Sequence, residues 1–176
     1  MADAHPRSET TPRRKTAAPK PGATPKGAMD AVDLLMKDHR DAEKLFAQFE
    51  KAEAPARKAA LAAKICAALK AHTQIEEEIF YPEARDAGLD DDKLDEAYVE
   101  HDAAKKLIAE IEAMTPDDEF FDAKVKVLSE EIAHHVEEEE EAGGLFAQAR
   151  KSGEMDLSEM AGRLAARRDA LLAARR

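Results

Sequence analysis

The chain has 176 residues, 44% of them hydrophobic and 37% charged, with a formal net charge of -11, six histidines, one cysteine and no Trp. That length suffices for one domain with a full core, and a mixture dominated by Ala, Glu, Lys, Leu and Arg is that of an all-α protein. The acidity argues against a nucleic-acid partner, and no run of about 20 apolar residues is present to span a membrane.

Residues 1–27 differ from the rest. They hold Arg7, Arg13, Arg14, Lys15, Lys20 and Lys26 against only Asp3 and Glu9, and Pro6, Pro12, Pro19, Pro21 and Pro25 of the eight prolines. Large apolar side chains are almost missing there, so burial cannot offset the entropy of ordering. The reading is a disordered, basic, Pro-rich tail without the apolar stretch of a secretory signal. From residue 28 the prolines punctuate helices. Helix A is expected over about 29–52 and helix B over about 56–85, bent at Pro82. Gly88 and "LDDD" make a turn before helix C, about 92–113. "TPDD" offers Thr115 as a cap and acidic residues for the helix dipole, which predicts helix D from about 117 to 142 or 150, depending on Gly143 and Gly144. "MDLSEM" offers Asp156 as N-cap with Glu159 three residues on, so a shorter helix E is expected over about 157–174. Four long helices with short connections imply an antiparallel up-down-up-down four-helix bundle over residues 28–150. Residues 151–176 then form an accessory C-terminal helix, packed outside the bundle or projecting. That helix and the tail are the segments available to a protein partner.

Cys66, in "AKICAALK", reads as a small buried hydrophobe, and one cysteine without a partner fits a reducing, cytoplasmic setting.

The apolar stripes carry the functional signal. Helix A reads Val32, Leu35, His39, Ala42, Phe46, Phe49; helix B reads Leu61, Ile65, Leu69, His72, Glu76, Ile79. Helix C reads Leu94, Tyr98, His101, Lys105, Ile108, and helix D reads Val125, Leu128, Ile132, His135, Glu139. Steps of three and four keep each set on one face. A histidine interrupts every stripe, and a glutamate follows one turn later in two. One such histidine is ordinary in a core. Four of them with two inward carboxylates are not, because a buried carboxylate costs several kcal/mol unless a cation pairs with it.

The spacing repeats: His39 to His72 is 33 residues and His101 to His135 is 34, each followed by Glu at four. Two helical hairpins would therefore bring their polar residues to one level. The spacing of 33 would be matched by His134 and Glu138, whereas the apolar phase selects His135 and Glu139; the phase is taken as deciding. Imidazole with carboxylate and no thiolate suits Fe, Mn or Zn. Six donors suit two ions bridged by the glutamates. The flanking Glu77, Glu78, Glu137, Glu138, Glu140 and Glu141 read as a solvated face. Tyr98 reads as core packing and Tyr81 as partly exposed, both within reach of the centre.

"LLMKDHRDAEKLF", "AHTQIEEEIFYP", "VEHDAAKKL" and "HHVEEEEEAGGLF" together resemble the His and His-x-x-x-Glu segments of hemerythrin-like (HHE cation-binding) domains, in the same order over about residues 29–150. The resemblance implies a non-haem di-iron centre, an oxygen atom bridging the irons, held by His39, His72, Glu76, His101, His135 and Glu139. Two features depart from the oxygen carriers of that family: Lys105 stands where they have a fifth histidine, and the last carboxylate is Glu139 at four residues rather than an Asp at five. One more coordination position is then open than in an oxygen carrier, which leaves room for peroxide or NO. Gly143 and Gly144 replace a compact ending and are expected to loosen helix D beyond Glu139. Three readings follow: a module binding or sensing O2, NO or iron; an enzyme of peroxide removal, ferrous oxidation or iron-centre repair; and a helical scaffold with no metal.

Overall fold

The computed structural model describes residues 29–174 as seven α-helices and one π-helical turn. The tail expected to be disordered, residues 1–27, lies outside the described residues. Helix α1 (Ala31–Glu50) starts at a capping box, Asp30 Oδ1 accepting from the Asp33 amide at 2.8 Å while the Asp33 carboxylate accepts from the Asp30 amide at 3.2 Å. This satisfies two amides that a helix start leaves without partners. Helix α2 (Pro55–Ile75) begins on Pro55, which lacks the N–H that a first turn cannot use.

Helix α2 runs into a π turn (Glu76–Phe80) and then α3 (Tyr81–Asp86). The Tyr81 amide donates to the Glu76 carbonyl, five residues back rather than four. Pro82 is the physical cause. It cannot donate to the Glu78 carbonyl, and its ring would crowd that oxygen in an unbroken α-helix. The widened turn absorbs the conflict, so the expected bend at Pro82 is instead a π turn just before it.

Helix α4 (Asp91–Glu112) is capped by Asp90, whose carboxylate accepts from the amides of Asp92 and Lys93. Helix α5 (Phe121–Glu140) starts later than the 117 expected. The amide and hydroxyl of Thr115 both donate to Asp118 Oδ2, at 2.6 and 3.0 Å, and the Asp118 amide donates to the Thr115 carbonyl. These groups close a turn of their own, so neither caps the helix. Helix α6 (Leu145–Ser152) is separate from α5, and α7 (Leu157–Ala173) is capped by Asp156 as the sequence suggests, its carboxylate accepting from the Glu159 amide at 3.0 Å.

The architecture is the antiparallel up-down-up-down bundle, formed by α1, α2 with its π turn and α3, α4, and α5. Its interior has two apolar clusters. One holds Leu34, Leu35, Ile75, Phe80, Tyr81, Leu94, Leu145 and Met160. The other holds Phe46, Phe49, Leu61, Ile65, Leu69, Ile108, Phe121 and Leu128. Helices α1, α2 with its π turn, and α4 pass from one cluster to the other at His39, His72 and His101, whereas α5 stays with the second cluster as far as Val136, beside His135, and the chain joins the first only at Leu145 and Phe146 of α6. The polar groups therefore form a layer between two oily ones. Helix α7 packs on α1 and α2 through Met160 and Leu164, both fully buried. Ion pairs Arg163–Glu83, Arg167–Glu78 and Arg168–Asp38, each at 2.6 Å, fasten it. Cys66 is buried and burial pushes its thiol up to about 11, which suits a packing residue. No helix among the described residues is long and apolar enough to cross a membrane.

Candidate metal centre

The polar layer brings the six predicted residues together, all of them buried. His39 Nε2 lies 2.9 Å from His72 Nε2, and His101 Nε2 lies 3.1 Å from His135 Nε2. Two carboxylates join these pairs. Glu76 Oε2 is 3.1 Å from His72 Nε2 and 3.5 Å from His101 Nε2, and Glu139 Oε2 is 3.5 Å from the Nε2 atoms of His39 and His135. His39, His72 and Glu76 each offer an atom within 4.8 Å of the others, and so do Glu76, His101 and His135. Glu76 is common to both groups. Of the adjacent histidines, His135 points inward and His134 is exposed, as the apolar phase of α5 requires.

Outward-facing carboxylates orient the rings. His39 Nδ1 lies 2.8 Å from Glu140, which Arg40 also holds; His101 Nδ1 lies 3.0 Å from Glu77; His135 Nδ1 lies 2.8 Å from Glu100. His72 Nδ1 faces Asp38 across a longer 3.9 Å. A ring that donates from Nδ1 presents a bare lone pair at Nε2. His101 and His135 thus turn lone pairs toward each other at 3.1 Å, and either a proton or a metal ion must lie between them. No donor among the described residues reaches either oxygen of Glu76, or Oε2 of Glu139. Buried carboxylate oxygens without a donor, facing imidazole nitrogens, are a fitting donor set for a hard or borderline divalent ion.

Three expectations change here. Glu77 and Glu140 are not simply a solvated face: they are partly buried and hold His101 and His39. Lys105 reaches both oxygens of Glu77, at 2.5 and 2.6 Å, and so braces the partner of His101 from outside the centre. Tyr81 is fully buried, its hydroxyl donating to Glu139 Oε1 at 2.9 Å and lying 3.2 Å from His101 Nε2. The π turn explains this, because a five-residue turn carries Tyr81 back over the face that Glu76 occupies. Burial first, then the charge of Glu139, raises the Tyr81 phenol well above its usual range, so it stays a donor.

Gly144 has a different role from the loosening expected. A Cβ there would lie 2.3 Å from the Glu138 carbonyl oxygen and 2.4 Å from that of Glu139. Only glycine lets the chain turn back across the end of α5. The turn seats Phe146 against His39, rings stacked at 5.5 Å.

The sequence model of the family described as "Hemerythrin HHE cation binding domain" matches residues 30–143. The chain belongs to this family. The hemerythrin-like fold is independently evident in its likeness to the crystal structure of a hemerythrin HHE cation-binding-domain protein from Mycobacterium kansasii. The TM-score is 0.68 at 18% identity, over 82% of this chain and 88% of that one. A protein from Nostoc sp. described as a DNA nickase is 30% identical over 124 residues, which are 70% of this chain and 34% of the nickase. The chain therefore spans about a third of that relative's length. An HHE-family, metal-binding helical protein is the identity these likenesses support.

Titration and metal binding compete in such a centre. Burial, then Glu139, Asp38 and Glu77, push the Glu76 carboxyl well above its ordinary value. Burial pulls His135 down, but Glu139 and Glu100 outweigh it and the ring is raised. Burial lowers His101 and holds His72 down at about 4, effects that matter only below the ordinary histidine value of about 6.5. Above its own ordinary value, about 4.5 for Glu76 and about 6.5 for His135, each group keeps in the folded metal-free chain a proton that the unfolded chain has released. Raising the pH strips them and costs stability, at most about 1.4 kcal/mol per pH unit for each proton. Metal affinity rises over the same range, since cation and protons compete for the same atoms. Melting temperatures between about pH 6.5 and 8.5 should fall for chelator-treated protein and hold or rise for metal-loaded protein. Parallel curves would show that no proton occupies the metal's place.

Proposed function

We propose that the chain is a non-haem di-iron protein that binds or senses O2, NO or iron. The observation that carries this reading is the convergence of four imidazole Nε2 atoms and two carboxylates in one buried layer. His39, His72, Glu76, His101, His135 and Glu139 would be the ligands, with Glu76 and Glu139 shared between two ions. Manganese or zinc fits the same donors. When bound, an iron pair supplies an open coordination position for a diatomic or peroxide ligand.

This chain's own residues would shape what reaches that position. A cavity of about 260 Å³ opens onto all four histidines. Ala42, Leu69, Ile132 and Val136 line its interior, and Lys37, Asp41, Arg168 and Asp169 are around it. It is smaller than a drug-sized ligand needs and suits a small neutral molecule. The Thr73 hydroxyl is buried in its wall with no partner among the described residues, and can donate to a bound ligand atom. The Tyr81 hydroxyl holds Glu139 in place and keeps one oxygen of it from turning.

One observation favours the enzymatic alternative, peroxide removal, ferrous oxidation or iron-centre repair. Lys105 is drawn away to Glu77, so it does not fill the coordination position that its place in the sequence corresponds to. The nickase activity in the Nostoc relative's name is said of a protein about twice as long, and nothing in this centre is specific to DNA.

Anaerobic reconstitution with ferrous iron, metal analysis and optical spectra test these readings. About two irons per chain are expected, with a reversible new absorption band under O2 or NO. Sustained peroxide consumption would favour the enzyme. Fewer than about one ion of iron, manganese or zinc would leave only the scaffold. His72→Ala and His101→Ala are expected to strip metal while far-ultraviolet helicity survives.

A further inference from the structure

The exposed histidine that the buried centre does not use lies in a second cluster. His134 Nε2 is 3.3 Å from Glu138 Oε1, one turn along α5, and 3.8 Å from Glu100 Oε1 on α4. These three atoms fall within 4.8 Å of one another. The His134 side chain is 64% exposed, while those of Glu100 and Glu138 are 23% and 34% exposed. Glu100 belongs to both layers: its Oε1 faces His134 and its Oε2 accepts from His135 Nδ1 at 2.8 Å. Between α4 and α5 lies a cleft of about 10 Å³, the room of one water-sized occupant. Glu96, Glu100 and Glu138 line it on the outer side together with Lys93, which pairs with Glu141 at 2.9 Å, and His135 and Glu139 on the inner. Glu139 is only 2% exposed, and its Oε2 has no donor among the described residues.

We infer that His134, Glu138 and Glu100 form an outer site for a divalent transition-metal ion, which receives the ion from solvent and passes it to the buried centre. The bland reading is a surface His–Glu pair at i and i+4. Three features go beyond it. The third donor comes from a different helix. One imidazole with two carboxylates is a three-ligand set for Zn, Mn or Fe with positions left for water. And the cleft is lined both by Glu100 and Glu138 of the cluster and by His135 and Glu139 of the buried layer. The cavity on the α1, α2 and α7 side is mostly apolar, whereas this cleft is acidic, and an acidic cleft concentrates cations. The fold thus separates a route for cations from a route for a neutral ligand. The inference rests on the buried six residues holding cations, but not on their being iron.

The experiment uses the full metal-free chain with Zn2+ for stoichiometry, by titration calorimetry, and Co2+ for loading rate, by stopped-flow absorbance. The wild-type chain is expected to take one weak ion beyond the tightly held ones. His134→Ala should lose that ion alone and load the buried centre about tenfold more slowly, to an unchanged final spectrum. His72→Ala, checked for helicity, should keep the weak ion when the buried ones are lost. A His134→Ala chain that binds as many ions as the wild type would overturn the site. Loss of the weak ion with an unchanged loading rate would overturn the transfer. If the tight ions are absent from the wild type while the weak one remains, the di-metal reading of the buried layer fails and the outer site stands.

Discussion

Glu76→Leu is expected to abolish metal binding and, at the same time, to raise the melting temperature of the metal-free protein. Both effects follow from one placement. Glu76 is fully buried, neither of its oxygens meets a donor among the described residues, and burial pushes its carboxyl toward the neutral form. Without a cation it is a desolvated acid facing imidazoles. Replacing such groups by apolar ones of similar volume stabilises by about 1–4 kcal/mol. In a chain of this size that is roughly 3–15 °C in melting temperature. Glu76 also belongs to both three-residue metal groups of the buried layer, so the one substitution removes a donor from each. With ions present the order reverses. A ligand at a thousand times its Kd stabilises the folded wild type by about 4 kcal/mol, which the variant cannot gain. Scanning calorimetry should rank metal-loaded wild type above metal-free Glu76→Leu, and that above metal-free wild type. A metal-free variant melting below metal-free wild type would mean that Glu76 is satisfied without metal.

That inverted ranking also explains what was legible in the sequence. Inward polar residues on an apolar stripe are destabilising by themselves, so their placement on all four helices at matching depth is a signal of a ligand. Helical periodicity carries that signal: Val125, Leu128 and Ile132 suffice to turn His135 and Glu139 inward and His134 outward. It also carries the bundle, because the level of the histidine on each apolar stripe follows from the stripe and the loop lengths. Contacts between helices are a different matter. Glu77 and Glu140 read as polar-face residues, and Glu100 is not singled out at all, because nothing along their own helices marks them. Only the crossings of α2 with α4, of α4 with α5 and of α1 with α5 place them behind His101, His135 and His39. The π turn was missed for a local reason. Pro82 signals that the α-helical ladder cannot continue unchanged, but a kink and a widened turn both satisfy it, and only the wider turn buries Tyr81. At Thr115 the sequence has the residue types of a helix cap, but no helix starts there: these residues close a turn of their own, because Asp118 is near enough to accept both donors.

Gly144→Ala should be the most damaging substitution outside the six converging residues. Its Cβ would meet the carbonyl oxygens of Glu138 and Glu139 at 2.3 and 2.4 Å, and the Glu139 carbonyl carbon at 2.7 Å. Backbone atoms cannot swing aside as a flexible side chain would, so the turn or the end of α5 must move. Overpacking of this kind costs about 1–3 kcal/mol. The displaced segment carries Glu139 on one side and Phe146, stacked on His39, on the other. Metal affinity is therefore expected to fall by about tenfold to a hundredfold, the range seen when groups that orient ligands are disturbed. Gly143→Ala is the control, since a Cβ there meets nothing within 4 Å. It should bind metal and melt within about 0.5 kcal/mol of the wild type. If the two substitutions have equal effects, the damage comes from backbone entropy common to any glycine in the turn. If only Gly144→Ala loses metal, the close passage of the chain across α5 is what sets Glu139 at its distance from His39 and His135.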